Sequence, residues 1–213
     1  MMKQLEEDLW QSTIHSIGIL NTHAYLLQRP EGNVLFYNTD NEGDLEQIAE
    51  LGGIEYQLLT HRDESGSSLN RIKDLFDSKL CCSVLEASII SKDAPVDITF
   101  GANEHCLDDI QIINTPGHTN GSICFFYKSP YGKIYLFTGD TIFQWDGKWS
   151  TLVLSKAGGS AVSLVDSLLK LRDLNPDIVM SSGFVGDISA VEVSGNEWTE
   201  AIDDNVERLR KKT

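Results

Sequence analysis

Residues 112–122 read IINTPGHTNGS. An apolar, β-rich run ends in Thr-Pro-Gly, whose turn chemistry stops the strand, and a histidine follows at position 118. The arrangement recurs at residues 57–61, QLLTH, which end on His61, and at residues 135–140, YLFTGD, which end on Asp140. Function gathers on loops at one edge of a rigid sheet, so ligands scattered in sequence converge when such strand ends lie together. Each signal alone is weak, because a strand-end histidine is more often structural and Gly-Asp after a strand is commonly a turn. Three in one chain are a pattern.

The surrounding segments supply the scaffold. Residues 16–28 and 32–38 are β-rich and joined by RPEG, which predicts a hairpin. Residues 43–53 give a short helix with Leu45, Ile48 and Leu51 at helical spacing and Gly52-Gly53 as its stop. A strand at 55–60, a helix at 68–76 and a strand at 78–85 follow. Residues 93–109 lack a clear period and are expected to hold short strands and turns. Three strands come next, at 110–118, 121–128 and 132–140, then a helix over 160–174, a strand at 177–183 and a terminal helix from about residue 197. Strand-rich halves interleaved with helices fit sheets packed on each other and covered by helices, in one domain spanning 1–213.

Composition narrows the partners. Asp and Glu outnumber Lys and Arg by 32 to 17, a formal net charge of -15. An anionic surface excludes nucleic acid and anionic membrane as expected partners, whereas a bound metal can reverse the potential for a small-molecule substrate. The N-terminus, MMKQLEEDLW, is acidic where a signal peptide needs an apolar run, and no stretch approaches the roughly 18 apolar residues of a span. The expectation is a cytoplasmic protein of undetermined oligomeric state. Cys81, Cys82, Cys106 and Cys124 show no C-x-x-C spacing and read as reduced, buried thiols.

TPGHTNGS at 115–122 and FTGDTIF at 137–143, with NTHAYLL at 21–27 and LLTH at 58–61, closely resemble the signatures of the metallo-β-lactamase superfamily, in particular its glyoxalase II-like branch. The resemblance runs from about residue 21 to 183 and implies a four-layer αββα sandwich. It also implies ligands. The family loop T-H-x-H-x-D-H aligns its first histidine with His61, the G-H-T histidine with His118 and the bridging aspartate with Asp140. Asp63 stands at the second histidine, Ser65 at the aspartate, Gly66 at the next histidine, and Gly183-Phe184 where a late strand usually carries a final histidine.

The departures fall unevenly. One metal position keeps His61, Asp63, His118 and Asp140, a set suited to zinc, iron or manganese, and a carboxylate at the Asp63 place resembles the diiron flavoprotein branch. The other position keeps only Asp140, so the expectation is one divalent metal or none. With all four residues on a tetrahedral zinc, no position stays open for water and the site is structural. The family's aspartate base is lost at Ser65, and neighbouring Glu64 is the candidate general base, while Arg62 and Glu64 otherwise read as a solvated loop pair. Residues 142–149, IFQWDGKW, read as a loop in which Phe143 and Trp145 are candidates for a substrate-pocket wall, and His23 is a candidate for an approach to the metal. SKAGGS at 155–160 reads as the start of a helix, with anion binding as the lesser alternative.

Three functions stay open on this evidence: a hydrolase-like protein with an at most mononuclear site, cleaving a small ester or thioester; a metal-free relative that binds or supports; and a mononuclear iron oxygenase resembling the persulfide dioxygenases.

Overall fold

The acidic N-terminus folds into a hairpin: β1 (Lys3–Glu6) pairs antiparallel with β2 (Leu9–Gln11), and Leu9 is fully buried. The structure, a computed structural model, describes residues 1–102 and 106–211; His105, read from sequence as a surface or turn residue, lies outside them. The chain divides into two compact units, Met1–Gly101 and Ala102–Thr213.

In the first unit the run expected as one strand at 16–28 breaks at Gly18, whose φ of 66° is left-handed. It becomes the exposed hairpin β3 (His15–Ile17) and β4 (Leu20–Thr22), followed by β5 (Tyr25–Leu27). β5 and β6 (Val34–Phe36) form the hairpin predicted around RPEG. The sheet runs β1-β2-β5-β6 and continues through β7 (Tyr56–Leu58), β8 (Lys79–Ser83) and β9 (Ile98–Phe100). β6 to β9 are parallel, so their C-terminal ends share one edge, and His61 lies just beyond the end of β7.

Helix α1 (Glu42–Glu50) starts where the Asn41 side chain accepts from Asp44 N–H at 3.1 Å. Asp44 is fully buried and accepts from the Thr13 N–H at 2.7 Å and hydroxyl at 2.8 Å, tying the first turn to the segment after β2. Leu45 and Ile48 pack with Leu26, Leu35 and with Ile72 of α2 (Ser68–Phe76). The strand expected at 78–85 is cut short. Ser83 accepts from Leu85 N–H and starts α3 (Val84–Ile90), a helix the sequence reading did not anticipate.

The second unit carries a sheet ordered β10 (Cys106–Leu107), β11 (Ile110–Asn114), β12 (Ile123–Lys128), β13 (Ile134–Gly139), β16 (Ile178–Ser181), β17 (Ala190–Glu192). Between β13 and β16, residues expected to form a loop make the hairpin β14 (Phe143–Trp145) and β15 (Lys148–Ser150), turning on Asp146 and Gly147 with φ of 47° and 75°. Two positive φ values at Asp-Gly are a hairpin-turn signal. Helices α4 (Ala161–Leu171) and α5 (Gly195–Arg210) pack Leu164, Leu168, Trp198 and Ile202 against Leu136 and Val179 of the sheet. Each such fully buried leucine contributes about 1.5–3 kcal/mol. Ser194 and Glu197 form a capping box that sets the start of α5.

β11 is antiparallel to β12, β12 to β13, and β13 parallel to β16, so β11, β13 and β16 point the same way. Their C-terminal ends put His118, Asp140 and Ser182 on one edge of this sheet.

All four cysteines are free, but only three are buried, because Cys106 is exposed on β10. Burial pushes the Cys81 thiol up, and burial together with nearby Glu86 pushes the Cys82 thiol up to about 12. Thiolate is the reactive form. Native protein is therefore expected to give about one fast equivalent of thiol labelling, lost in Cys106→Ser, with the other three thiols reacting only on denaturation; fast labelling of Cys106→Ser contradicts this.

Candidate metal centre

On the first unit, β7 runs into Thr60 and His61 and then a tight turn of 3-10 helix, Arg62–Glu64. The turn folds Glu64 back over the strand end. Its carboxylate accepts from the Thr60 N–H at 2.7 Å and from the Thr60 hydroxyl, and lies 3.2 Å from His61 Nδ1. Thr60 Oγ1 is 3.0 Å from the same ring nitrogen. The Thr60 hydroxyl donates its hydrogen bond to Glu64, so its oxygen is left as acceptor for Nδ1–H. His61 is thereby held as the tautomer whose Nε2 carries the lone pair, the form that can bind a metal.

The rest of the loop is anchored around it. Arg62, read from sequence as half of a solvated pair with Glu64, instead forms a hydrogen-bonded ion pair with the fully buried Glu86 of α3. The Glu64 side chain is 5% exposed and turned inward, which is where the structure places the residue expected as a base. Asp63 is exposed. Ser65 Oγ donates to Asp93 at 2.7 Å, and Asn38 Nδ2 donates to the Glu64 carbonyl at 3.1 Å. His23 is buried, and desolvation pushes its pKa down, opposed by hydrogen bonds to the Ser12 and Thr13 backbone and by Asp44. His15 is exposed, 3.4 Å from Asp40.

On the second unit, the TPGH loop is clamped by SKAGGS. Leu154 N–H donates to His118 O at 2.9 Å, Ser160 N–H to Gly117 O at 3.0 Å, and Asn120 N–H to Ala157 O at 3.1 Å. The His118 ring is held too: Nδ1 lies 2.9 Å from Leu152 O. A carbonyl only accepts, so Nδ1 carries the proton and Nε2 the lone pair. Two buried imidazoles are thus set in the same tautomer by different acceptors. Thr115 Oγ1 lies 3.3 Å from Thr141 Oγ1, joining the loop before His118 to the loop after Asp140.

Asp140 has two distinct oxygens. Oδ2 is 3.8 Å from His118 Nε2, beyond hydrogen-bond distance. Oδ1 accepts from Ser182 Oγ at 3.0 Å and Gly183 N–H at 3.1 Å. Phe184 is fully buried, as is Ile142; Phe143 is 5% exposed and Trp145 45%, while Trp149 packs edge-on to Trp198 at 5.7 Å. Ser160 caps α4 by accepting from Ser163 N–H, so SKAGGS is a helix start and a clamp for His118.

Each unit thus offers potential metal ligands of its own, the buried imidazole of His61 and the exposed carboxylate of Asp63 on the first and the buried imidazole of His118 on the second. Two imidazoles and a carboxylate suit zinc, iron or manganese, and the two fixed tautomers fit such an ion.

The family signature of the Metallo-beta-lactamase superfamily matches residues 46–183. The chain belongs to that superfamily. Among curated proteins, the hydroxyacylglutathione hydrolase of Hydrogenovibrio crunogenus is 37% identical over 78 residues, which cover 36% of this chain and 24% of that enzyme. The match therefore spans about a quarter of the relative's length. Among solved structures, a metallo-beta-lactamase from Pontibacter korlensis superposes with a TM-score of 0.74 at 14% identity, covering 99% of this chain and 98% of that one. ETHE1 from Myxococcus xanthus gives 0.63 at 18%, covering 86% and 85%. The fold is the mixed α/β fold of these proteins, as the sequence motifs implied.

Sequence reading missed the residues that hold the ligands: Thr60, Leu152, Gly159 and Ser182. The adjacent glycines were the legible signal. A Cβ on Gly159 would sit 2.2 Å from His118 O and 2.7 Å from Gly117 O, and one on Gly117, at φ 151°, would meet the Leu164 backbone at 2.4 Å. A Cβ on Gly147, at φ 75°, meets nothing within 4 Å. Gly159→Ala and Gly117→Ala are expected to cost at least the roughly 1–3 kcal/mol of an overpacked core in urea denaturation. Gly147→Ala should cost only the roughly 1–2 kcal/mol of a left-handed residue; equal losses in all three would remove the close-approach argument.

Proposed function

We propose that this chain is a metal-dependent hydrolase with a mononuclear centre held by His61, Asp63, His118 and Asp140, acting on a small ester or thioester. The observation that carries the reading is the pair of buried histidines, each with Nδ1 on an acceptor and hence with Nε2 as the donor nitrogen. The partial likeness to a hydroxyacylglutathione hydrolase makes a thioester the first substrate to try. A divalent metal so held supplies an acidified water and polarises a carbonyl oxygen.

The chain's own residues argue for one metal. Asp140 turns Oδ2 toward His118, and its Oδ1 already accepts from Ser182 and Gly183. Ser65 donates to Asp93, and Phe184 brings a buried ring where the family places a ligand. Asp63 is the exposed carboxylate of the set, and its distance from the metal decides whether water keeps a coordination position. Two imidazoles with a carboxylate are also the ligand composition of mononuclear iron oxygenases, which makes that the second reading.

Elemental analysis of protein purified without tag or chelator is expected to give about one zinc, manganese or iron per chain, with none in His118→Ala and no second equivalent under excess metal. Iron with oxygen uptake on a persulfide would select the second reading. No metal after reconstitution would overturn both and leave a binding or structural protein.

A further inference from the structure

We propose that Glu64 is a positioning residue that sets the His61 imidazole for coordination, acting through the Thr60 hydroxyl. The proposal rests on His61 being a metal ligand. Two donors point at this one carboxylate, the Thr60 N–H and the Thr60 hydroxyl, and His61 Nδ1 lies 3.2 Å from it. A side chain only 5% exposed with its oxygens committed to Thr60 and His61 has no geometry for taking a proton from water in the open site. It has the geometry of an orienter. The carboxylate accepts a hydrogen bond from the Thr60 hydroxyl, the Thr60 oxygen accepts one from His61 Nδ1–H, and Nε2 is left with the lone pair.

The chain built this device into the loop with local means. The 3-10 turn brings position 64 back over position 60, and the Arg62–Glu86 ion pair fastens that turn to α3. His118 reaches the same tautomer through the carbonyl of Leu152 instead. The two imidazoles therefore differ in what a substitution can reach: the orienter of His118 is backbone, whereas that of His61 is a side chain.

Glu64→Gln keeps size and shape but offers an amide N–H2 where a donor already points, so it breaks the chain of donors without opening a cavity. Zinc affinity, read by competition with a chromogenic chelator, is expected to fall about 10–100-fold in Glu64→Gln, with its circular dichroism and melting temperature close to those of the parent protein. Unchanged affinity would overturn the proposal. A second readout needs neither metal nor variant: long-range 1H–15N correlation in metal-free parent protein should show His61 protonated at Nδ1, and a proton on Nε2 would refute the inference even if Glu64→Gln does not fold. If the parent protein binds no zinc at all, the metal-centre reading fails, while the His61 tautomer still decides whether Glu64 and Thr60 orient the ring.

Discussion

An imidazole can donate to a metal only through a nitrogen without a proton, and burial in protein lets the surroundings choose which nitrogen that is. Much of the local structure around His61 and His118 serves that choice. Behind His118 stand a carbonyl at Leu152, a backbone clamp from residues 154–160 and a glycine that lets the two backbones touch. Behind His61 stand a threonine and a buried glutamate folded back by one turn of 3-10 helix. The strands bring the residues to sheet edges, and these contacts set which ring nitrogen is free to donate.

The residues that the family motif has lost were not simply deleted. Ser182 and Gly183 donate to the Asp140 oxygen, Ser65 is engaged by Asp93, and Phe184 has become part of the buried apolar set. Each change leaves its neighbours satisfied. Buried polar groups left unpaired cost about 1–3 kcal/mol each, so this repair is what lets a depleted motif persist on a stable fold.

Strand ends carrying His61, His118 and Asp140 were readable because ligand type, turn chemistry and apolar runs are local features of sequence. The parallel and antiparallel order that places His118 and Asp140 on one edge was implied by the family likeness alone. What stayed hidden depends on direction. Nothing in the string RDES says that Glu64 points inward while Asp63 stays exposed; the 3-10 turn decides it. The Leu152 carbonyl has no side-chain signature at all. Likewise the strand read at 78–85 and the loop read at 142–149 changed form because a serine cap and an Asp-Gly turn act at single residues within apolar stretches.

The way Asp140 is capped has a consequence for engineering. Building a second metal position into this chain would require both freeing Oδ1 from Ser182 and Gly183 and replacing the buried ring of Phe184 with a ligand, so the change takes at least two coordinated substitutions.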